Sequence, residues 1–349
     1  MNIQEALPIW VAGRDIEAQQ MASVMRQVMS GGATDAQIGA MLIALRMKSE
    51  SIDEIAAAAT VMRELALPLV VSDTSKDHLV DLVGTGGDGA NLFNVSTAAT
   101  FVVAASGARV AKHGNRSVSS TSGSSDLLEA LGVPLDLGPE QTARCIDEVG
   151  MGFMFAPNYH SAMRYAVGPR KELGIRTLFN ILGPLTNPAG VRRQVLGVFN
   201  GALCEPLARV LKALGHEHAL VVHADDGLDE LSVAGPSQVA ELRNGSISSY
   251  RMRPEDVGLQ TQSLDGLQVS SAQESAALVR AALSGEARNE AQKAAAMIAL
   301  NAGATIYVSG LAATCADGVA IAEDLIASGQ AMEKLLDFVR FSQMVREVA

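Results

Sequence analysis

One short stretch limits the possible folds more than any other. An apolar run, Leu79 to Val83, passes directly into Gly84-Thr85-Gly86-Gly87-Asp88-Gly89, and a helix is expected to follow from about Ser96 to Ser106. A buried strand that ends in a glycine turn and feeds a helix opens a βαβ unit. The next segments continue the alternation: Gly107 as C-cap, a strand over Arg109 to Ala111, a polar loop, and a helix over Asp126 to Leu131. This order predicts a parallel sheet with right-handed crossovers. Two later strands, Val195 to Phe199 and Ala219 to Val222, flank a helix over Glu205 to Leu214, and Asn244-Gly245 marks a hairpin. Alanine-rich helices are expected at 273–283, 287–301 and 315–327, with Ala304 to Val308 as one more buried strand.

Upstream the texture is different. From Pro8 to about Leu67 helix formers dominate, with Thr34 ahead of Gln37 and Ser51 ahead of Glu54 as capping boxes, so residues 1–70 read as a helical unit. Residues 71–157 and 191–349 carry the α/β pattern. Between them, Asn158 to Leu173 reads as helical and Ile181 to Gly190 as an apolar crossing loop. A length of 349 residues suits about two domains.

Charge narrows the function classes. With 27 Lys plus Arg against 38 Asp plus Glu, the formal net charge is −11, which repels nucleic acid and anionic membranes unless a basic patch is locally concentrated. Aromatic residues, at 4%, leave few platforms for stacking bases. Cys145, Cys204 and Cys315 are widely spaced, which fits neither a disulfide framework nor a zinc knuckle. The N-terminus has no basic segment followed by an apolar core, so the expectation is a cytoplasmic protein.

Four constellations carry possible chemistry. In the glycine loop, missing side chains let backbone N–H groups close on a phosphate. The loop also fits GxGxxG, but the following strand runs into Lys112 rather than an acidic residue, and Asp88 inside the loop opposes a bare pyrophosphate, so dinucleotide binding is the weaker reading. Asn94-Val95-Ser96-Thr97 offers hydroxyls at a helix start, as caps or as ligands to phosphate or Mg2+. Lys112-His113-Gly114-Asn115-Arg116-Ser117-Val118-Ser119-Ser120, continuing to Ser124, combines cations with hydroxyl donors on one loop, as an anion cradle requires. Asp225, Asp226, Asp229 and Glu230 crowd four carboxylates into six residues, which a metal bridging substrate phosphates would explain, although taken alone such a motif is more often a solvated turn.

Taken together, GTGGD at 84–88, NVST at 94–97, KHGNRSVSS at 112–120, RKELGIRTLFNILGPLTNP at 170–188 and DGLDE at 226–230 resemble the anthranilate phosphoribosyltransferases. The resemblance implies a small all-helical N-terminal domain, completed by about 158–190, hinged to a larger α/β domain with a mostly parallel sheet of the nucleoside phosphorylase/phosphoribosyltransferase type. It implies transfer of 5-phosphoribosyl from phosphoribosyl diphosphate to anthranilate, in tryptophan biosynthesis, by a homodimer associating through the helical domain, with no nucleic-acid or membrane partner. By the same resemblance, Gly84, Gly87, Asp88, Asn94, Ser96, Thr97, Lys112, His113, Gly114, Asn115, Arg116, Ser117, Val118, Ser119, Ser120 and Ser124 contact the donor. Gly84, Asn115, His160 and Arg170 hold anthranilate, with Ile181 to Pro188 lining the ring channel. Ser96, Asp229 and Glu230 hold Mg2+, two ions per active site, and Lys112, Asn115 and Arg170 are catalytic.

Two positions depart from that pattern: Leu92 stands where many relatives carry a hydroxyl, and Pro169 where valine is common. A pyrimidine nucleoside phosphorylase-like enzyme and a non-catalytic nucleic-acid-binding relative are the alternatives. Neither uses the Asp229–Glu230 pair together with a net charge of −11.

Overall fold

A computed structural model describes residues 1–116 and 122–347. Four helices open the chain, Ile3–Val11, Ala18–Met29, Asp35–Lys48 and Ile52–Leu65. Asn2, Thr34 and Ser51 cap three of them, each side chain accepting from the backbone N–H three residues on. Such caps contribute about 1 kcal/mol each. Glu54 closes the Ser51 box and then reaches further. Its Oε1 accepts from Trp10 Nε1 at 2.8 Å and Ile16 N at 3.2 Å, and its Oε2 from Lys48 Nζ at 2.6 Å. Both side chains of the Lys48–Glu54 pair are buried.

The sheet has seven strands: β1 (Leu79–Gly84), β2 (Arg109–Gly114), β3 (Met151–Phe155), β4 (Arg193–Gly197), β5 (His218–Ala224), β6 (Ser237–Arg243) and β7 (Ser246–Met252). Their order is β3-β2-β1-β4-β5-β6-β7. The first five are parallel, and the β6–β7 hairpin adds antiparallel to β5. Asn244 and Gly245, at φ 51° and 77°, supply the two left-handed residues that a tight hairpin of matching twist needs. The connections run outward in opposite directions from β1 and β4, so these neighbours form the switch point where α/β sheets open a crevice at their C-terminal ends.

Both sheet faces are covered, as a parallel sheet demands. Val195, Leu220 and Val222 face one core with Val80, Leu82 and the Val95–Ala105 and Asn289–Ser309 helices. Leu196, Ala219 and Val221 face the other. That second core runs without a break through the Cys204–Ala213 helix and residues 178–185 into the N-terminal helices.

Ala304 to Val308 is not a strand. It is the end of the Asn289–Ser309 helix, in which every residue from Met297 to Ser309 is buried. A helix buried all round loses the 3.6-residue alternation, and Thr305, Ile306 and Val308 then mimic a strand. The helix expected over 158–173 is interrupted, with Ala156–Tyr159, a 3-10 turn at Ser161–Met163 and then Arg164–Leu173. The expected loop at 181–190 begins as helix, Leu178–Leu182, and a 3-10 turn, Gly183–Leu185.

Candidate active site

β1 and β4 lie side by side in parallel, Gly84 beside Gly197, and both end against Asp229. A Cβ on Gly84 would stand 2.3 Å from Asp229 Oδ2, and one on Gly197 would stand 1.6 Å from the Asp229 carbonyl oxygen. Only glycine permits that approach. The glycine loop then turns through left-handed φ at Gly86, Gly87 and Gly89, and Gly86 N donates to Asp229 Oδ2 at 2.6 Å. Of the four carboxylates at 225–230, Asp225 pairs with Arg251 and Asp226 accepts from Ser232 Oγ. Asp229 and Glu230 are the two that turn inward.

Glu230 Oε1 accepts from Ser96 N at 3.2 Å, at the start of the Val95–Ala105 helix. There the N-terminal partial positive charge favours an anion. Lys112 is buried, and its Nζ donates to Leu82 O at 2.6 Å and approaches Ser96 Oγ at 3.5 Å. Burial pushes the Asp229 and Glu230 carboxyls well above the usual carboxylate range. Asp88 adds to the shift on Asp229, and Asp229 to that on Glu230. Burial likewise lowers Lys112, against the stabilising charges of Asp81, Glu230 and Asp229.

This donor set suits a hard cation shared with a ligand. Among the described residues no three acidic, His or Cys side chains converge closely enough to hold a metal by themselves. Mg2+ commonly takes one or two carboxylates and completes its shell with water and phosphate oxygens. Asp229 and Glu230, crowded and held near Ser96, fit that mode.

The polar loop after β2 is partly committed elsewhere. A Cβ on Gly114 would meet Ser124 Oγ at 2.2 Å, so β2 ends tightly against the next helix. Arg116 pairs with Asp126 and Glu129, both at 2.9 Å. The Asn94 side chain accepts from Ser122 Oγ at 2.9 Å and Ser275 Oγ at 2.8 Å and donates to Ser122 O at 3.0 Å, tying the far end of the loop to the helix start. Thr97 is buried. Ser117, Val118, Ser119 and Ser120 lie outside the described residues.

Behind the strand ends, the buried His113 and His160 rings pack with centroids 5.0 Å apart and planes tilted by 56°. Burial pushes His113 down to about 3 and His160 down to about 4, so both rings are neutral at pH 7. They bond the backbone at Gly183 and Thr186, and Gln194 Nε2 donates to Pro184 O at 2.7 Å. Asn187 Nδ2 reaches Asp81 Oδ2 and Ala111 O, both at 2.8 Å. The 183–187 segment is thereby fastened to the middle of β1 and β2 and the start of β4.

Arg170 stands over the Phe179 ring at 5.4 Å, and burial lowers its pKa. No hydrogen bond joins it to Asn115 or to the glycine loop among the described residues. Arg176 does touch that loop, donating to Gly87 O and lying 4.3 Å from the Phe199 ring centroid. Sequence reasoning passed over Arg176, Asn187 and Asp81. The available signals were two polar residues inside the 170–188 motif and a lone carboxylate inside an apolar strand. A separate cavity of about 760 Å³ opens between the Cys204–Ala213 helix and β6–β7. Its arginines, Arg209 and Arg251, are already paired with Glu205 and Asp225.

Comparisons with known proteins agree with this geometry. Residues 4–66 match the helical bundle domain of the glycosyl transferase family, and residues 76–332 its a/b domain. The anthranilate phosphoribosyltransferase of Saccharophagus degradans is 62% identical over 99% of this chain and 100% of its own length. That of Cellvibrio japonicus is 60% identical over the same shares. The crystal structure of the Thermus thermophilus enzyme superposes with a TM-score of 0.90 at 44% identity, covering 97% of this chain and 99% of that one. The Saccharomyces cerevisiae enzyme in complex with PRPP and Mg gives 0.87 at 25% identity, covering 98% of each chain.

Proposed function

We propose how this site works from one premise: the chain belongs to the anthranilate phosphoribosyltransferase family. It transfers the 5-phosphoribosyl group of phosphoribosyl diphosphate to the amine of anthranilate and releases diphosphate. The observation that carries this reading is the convergence of Asp229, Glu230, Lys112 and Ser96 beneath the glycine loop at the ends of β1 and β4.

As the bond from ribose C1 to diphosphate breaks, negative charge grows on the leaving oxygens, and donors fixed in advance around them supply the largest effect. Lys112 holds a buried positive charge at that point, and the amides of the glycine loop and of the Ser96 helix start add their dipoles. Bound by Asp229, Glu230 and Ser96, Mg2+ would supply further positive charge to the departing diphosphate. The aniline nitrogen of anthranilate is uncharged at pH 7, so holding it over C1 matters more than a dedicated base. In this reading the Ile181 to Pro188 segment walls the aromatic ring, braced from behind by the buried, neutral His113–His160 pair. Gly84, Gly87, Asp88, Asn94, Thr97, Gly114, Asn115 and Ser124 complete the donor site in this reading, and Asn115 and Arg170 the acceptor site.

The helical unit, 1–70 with about 158–190, provides the dimer contact in this reading. Its packed helices expose Val11 at 77%, Met47 at 82% and Val167 at 55%. A monomeric mass in sedimentation velocity overturns that assignment. No helix among the described residues is long and apolar enough to cross a membrane.

The test is loss of anthranilate fluorescence on adding phosphoribosyl diphosphate, with Mg2+ and again with EDTA. Loss that requires both donor and metal is expected. Arg170→Ala should raise the anthranilate KM and leave the donor KM unchanged; an unchanged anthranilate KM misplaces the acceptor site.

A further inference from the structure

Arg176 leaves the acceptor-side segment and ends on the donor-side loop. Its guanidinium donates to the Gly87 carbonyl, and its Cζ lies over the Phe199 ring, 4.3 Å from the centroid. The fit at Gly87 is close: φ is +79°, and a Cβ there would stand 3.3 Å from Arg176 Nη2 and 3.4 Å from Nε. Phe199 is itself part of the loop's frame. Its N–H donates to Thr85 Oγ1 at 3.1 Å, and Thr85 N donates to Gly197 O at 2.9 Å. The cation is thus held by a neutral carbonyl and a ring. Among the described residues no carboxylate pairs with it, although Asp88 follows Gly87 directly.

That arrangement aims an exposed guanidinium at the glycine loop with donors to spare. Arginine presents five N–H donors in a planar fork, and one carbonyl together with one ring face leaves most of them free. The ring contact and the Gly87 bond already restrict the side chain, so less of its freedom is lost when a second partner arrives. The loop beneath is the one whose bare amides suit phosphate.

We infer that Arg176 is a donor-binding residue, its guanidinium taking phosphate oxygens of phosphoribosyl diphosphate from the acceptor side of the cleft. The inference rests on the transferase reading above. It adds a contact by which the 170–188 segment, which carries the acceptor wall, senses a filled donor site.

The experiment uses the full chain and steady-state fluorescence, with inorganic diphosphate as a second probe. Wild-type turnover is measured first, and its absence overturns the transferase reading rather than this one. With active wild type, Arg176→Ala is expected to raise the phosphoribosyl diphosphate KM about tenfold or more, the loss of one or two charge-assisted hydrogen bonds. The inhibition constant of diphosphate should rise in step, with the anthranilate KM within about twofold of wild type. Arg176→Lys, which keeps the charge but loses the fork, should recover part of the effect and guards against a folding defect in the alanine variant. A donor KM and diphosphate inhibition that both stay at wild-type values overturn the inference, as does a rise confined to the anthranilate KM. A lower kcat alone, with diphosphate inhibition unmoved, assigns Arg176 to bracing the loop and overturns it equally.

Discussion

Replacing Gly197 by alanine is the sharpest perturbation this site offers. The new Cβ would fall 1.6 Å from the Asp229 carbonyl oxygen and 2.5 Å from its carbon, where ordinary contact begins at 3.4 Å. The shortfall of about 1.8 Å is against backbone on both sides, so no rotamer change relieves it. β4 is held by β1 and β5 in parallel register, which leaves the 225–230 loop as the part that yields. Its retreat draws Asp229 Oδ2 away from Gly86 N and carries Glu230 away from Ser96 N. A misplacement of about 1 Å at reacting groups can cost about 100-fold in rate, so Gly197→Ala should lose at least that in kcat/KM, with Mg2+ required at higher concentration. Overpacking should cost about 1–3 kcal/mol of stability in urea unfolding. Gly235→Ala, in the same connection with nothing within 4 Å of its Cβ, is the control and should be near wild type. A Gly197→Ala enzyme with kcat/KM within about threefold of wild type would refute the argument that this contact sets the carboxylates.

Two further outcomes test the surroundings. Glu54→Ala removes one of the two carboxylate partners of Lys48, which keeps Asp15 at 2.6 Å, and leaves Trp10 Nε1 and Ile16 N without their acceptor, a loss of about 1–3 kcal/mol read as a lower urea midpoint; an unchanged midpoint refutes it. His216 is buried, bonded to Leu211 O at 3.1 Å, and pushed down to about 3 by burial and by the nearby Arg63 charge. A histidine with a depressed folded pKa keeps its stabilising contribution above its free value of 6.5 and loses it as pH falls towards the folded value, at about 1.4 kcal/mol per pH unit. The stability deficit of His216→Gln should therefore shrink by about 2 kcal/mol between pH 7 and pH 5. A deficit that is constant with pH rules this out.

What could be read from the chain and what could not divide along physical lines. The caps at Thr34 and Ser51 and the Asn244-Gly245 hairpin are local, needing only residues a few positions apart, and the structure carries all three. The glycine loop reads as a strand-to-helix turn for the same reason. The inward turn of Asp229 and Glu230, in contrast, depends on Asp225 and Asp226 being taken by Arg251 and Ser232, which nothing within 225–230 discloses. Gly197 gives no signal at all, because its need for a bare Cα comes from a loop after another strand. The mistaken strand at Ala304 to Val308 has the opposite cause: complete burial erases the periodicity that separates helix from strand.

The unbroken second core has a consequence for anyone who cuts or exchanges parts of this protein. Leu207, Leu211, Leu196 and Val221 share that core with Leu42, Leu45 and Ile55 of the N-terminal bundle. Excising residues 4–66 would bare the outer side of the Cys204–Ala213 helix and of residues 178–185, which lie between the bundle and the sheet, and the freed bundle would present a matching greasy flank to water. The two segments that match separate family domains therefore share one core, and a bundle grafted from a relative must bring the side chains that pack on the Cys204–Ala213 helix and residues 178–185 along with its helices.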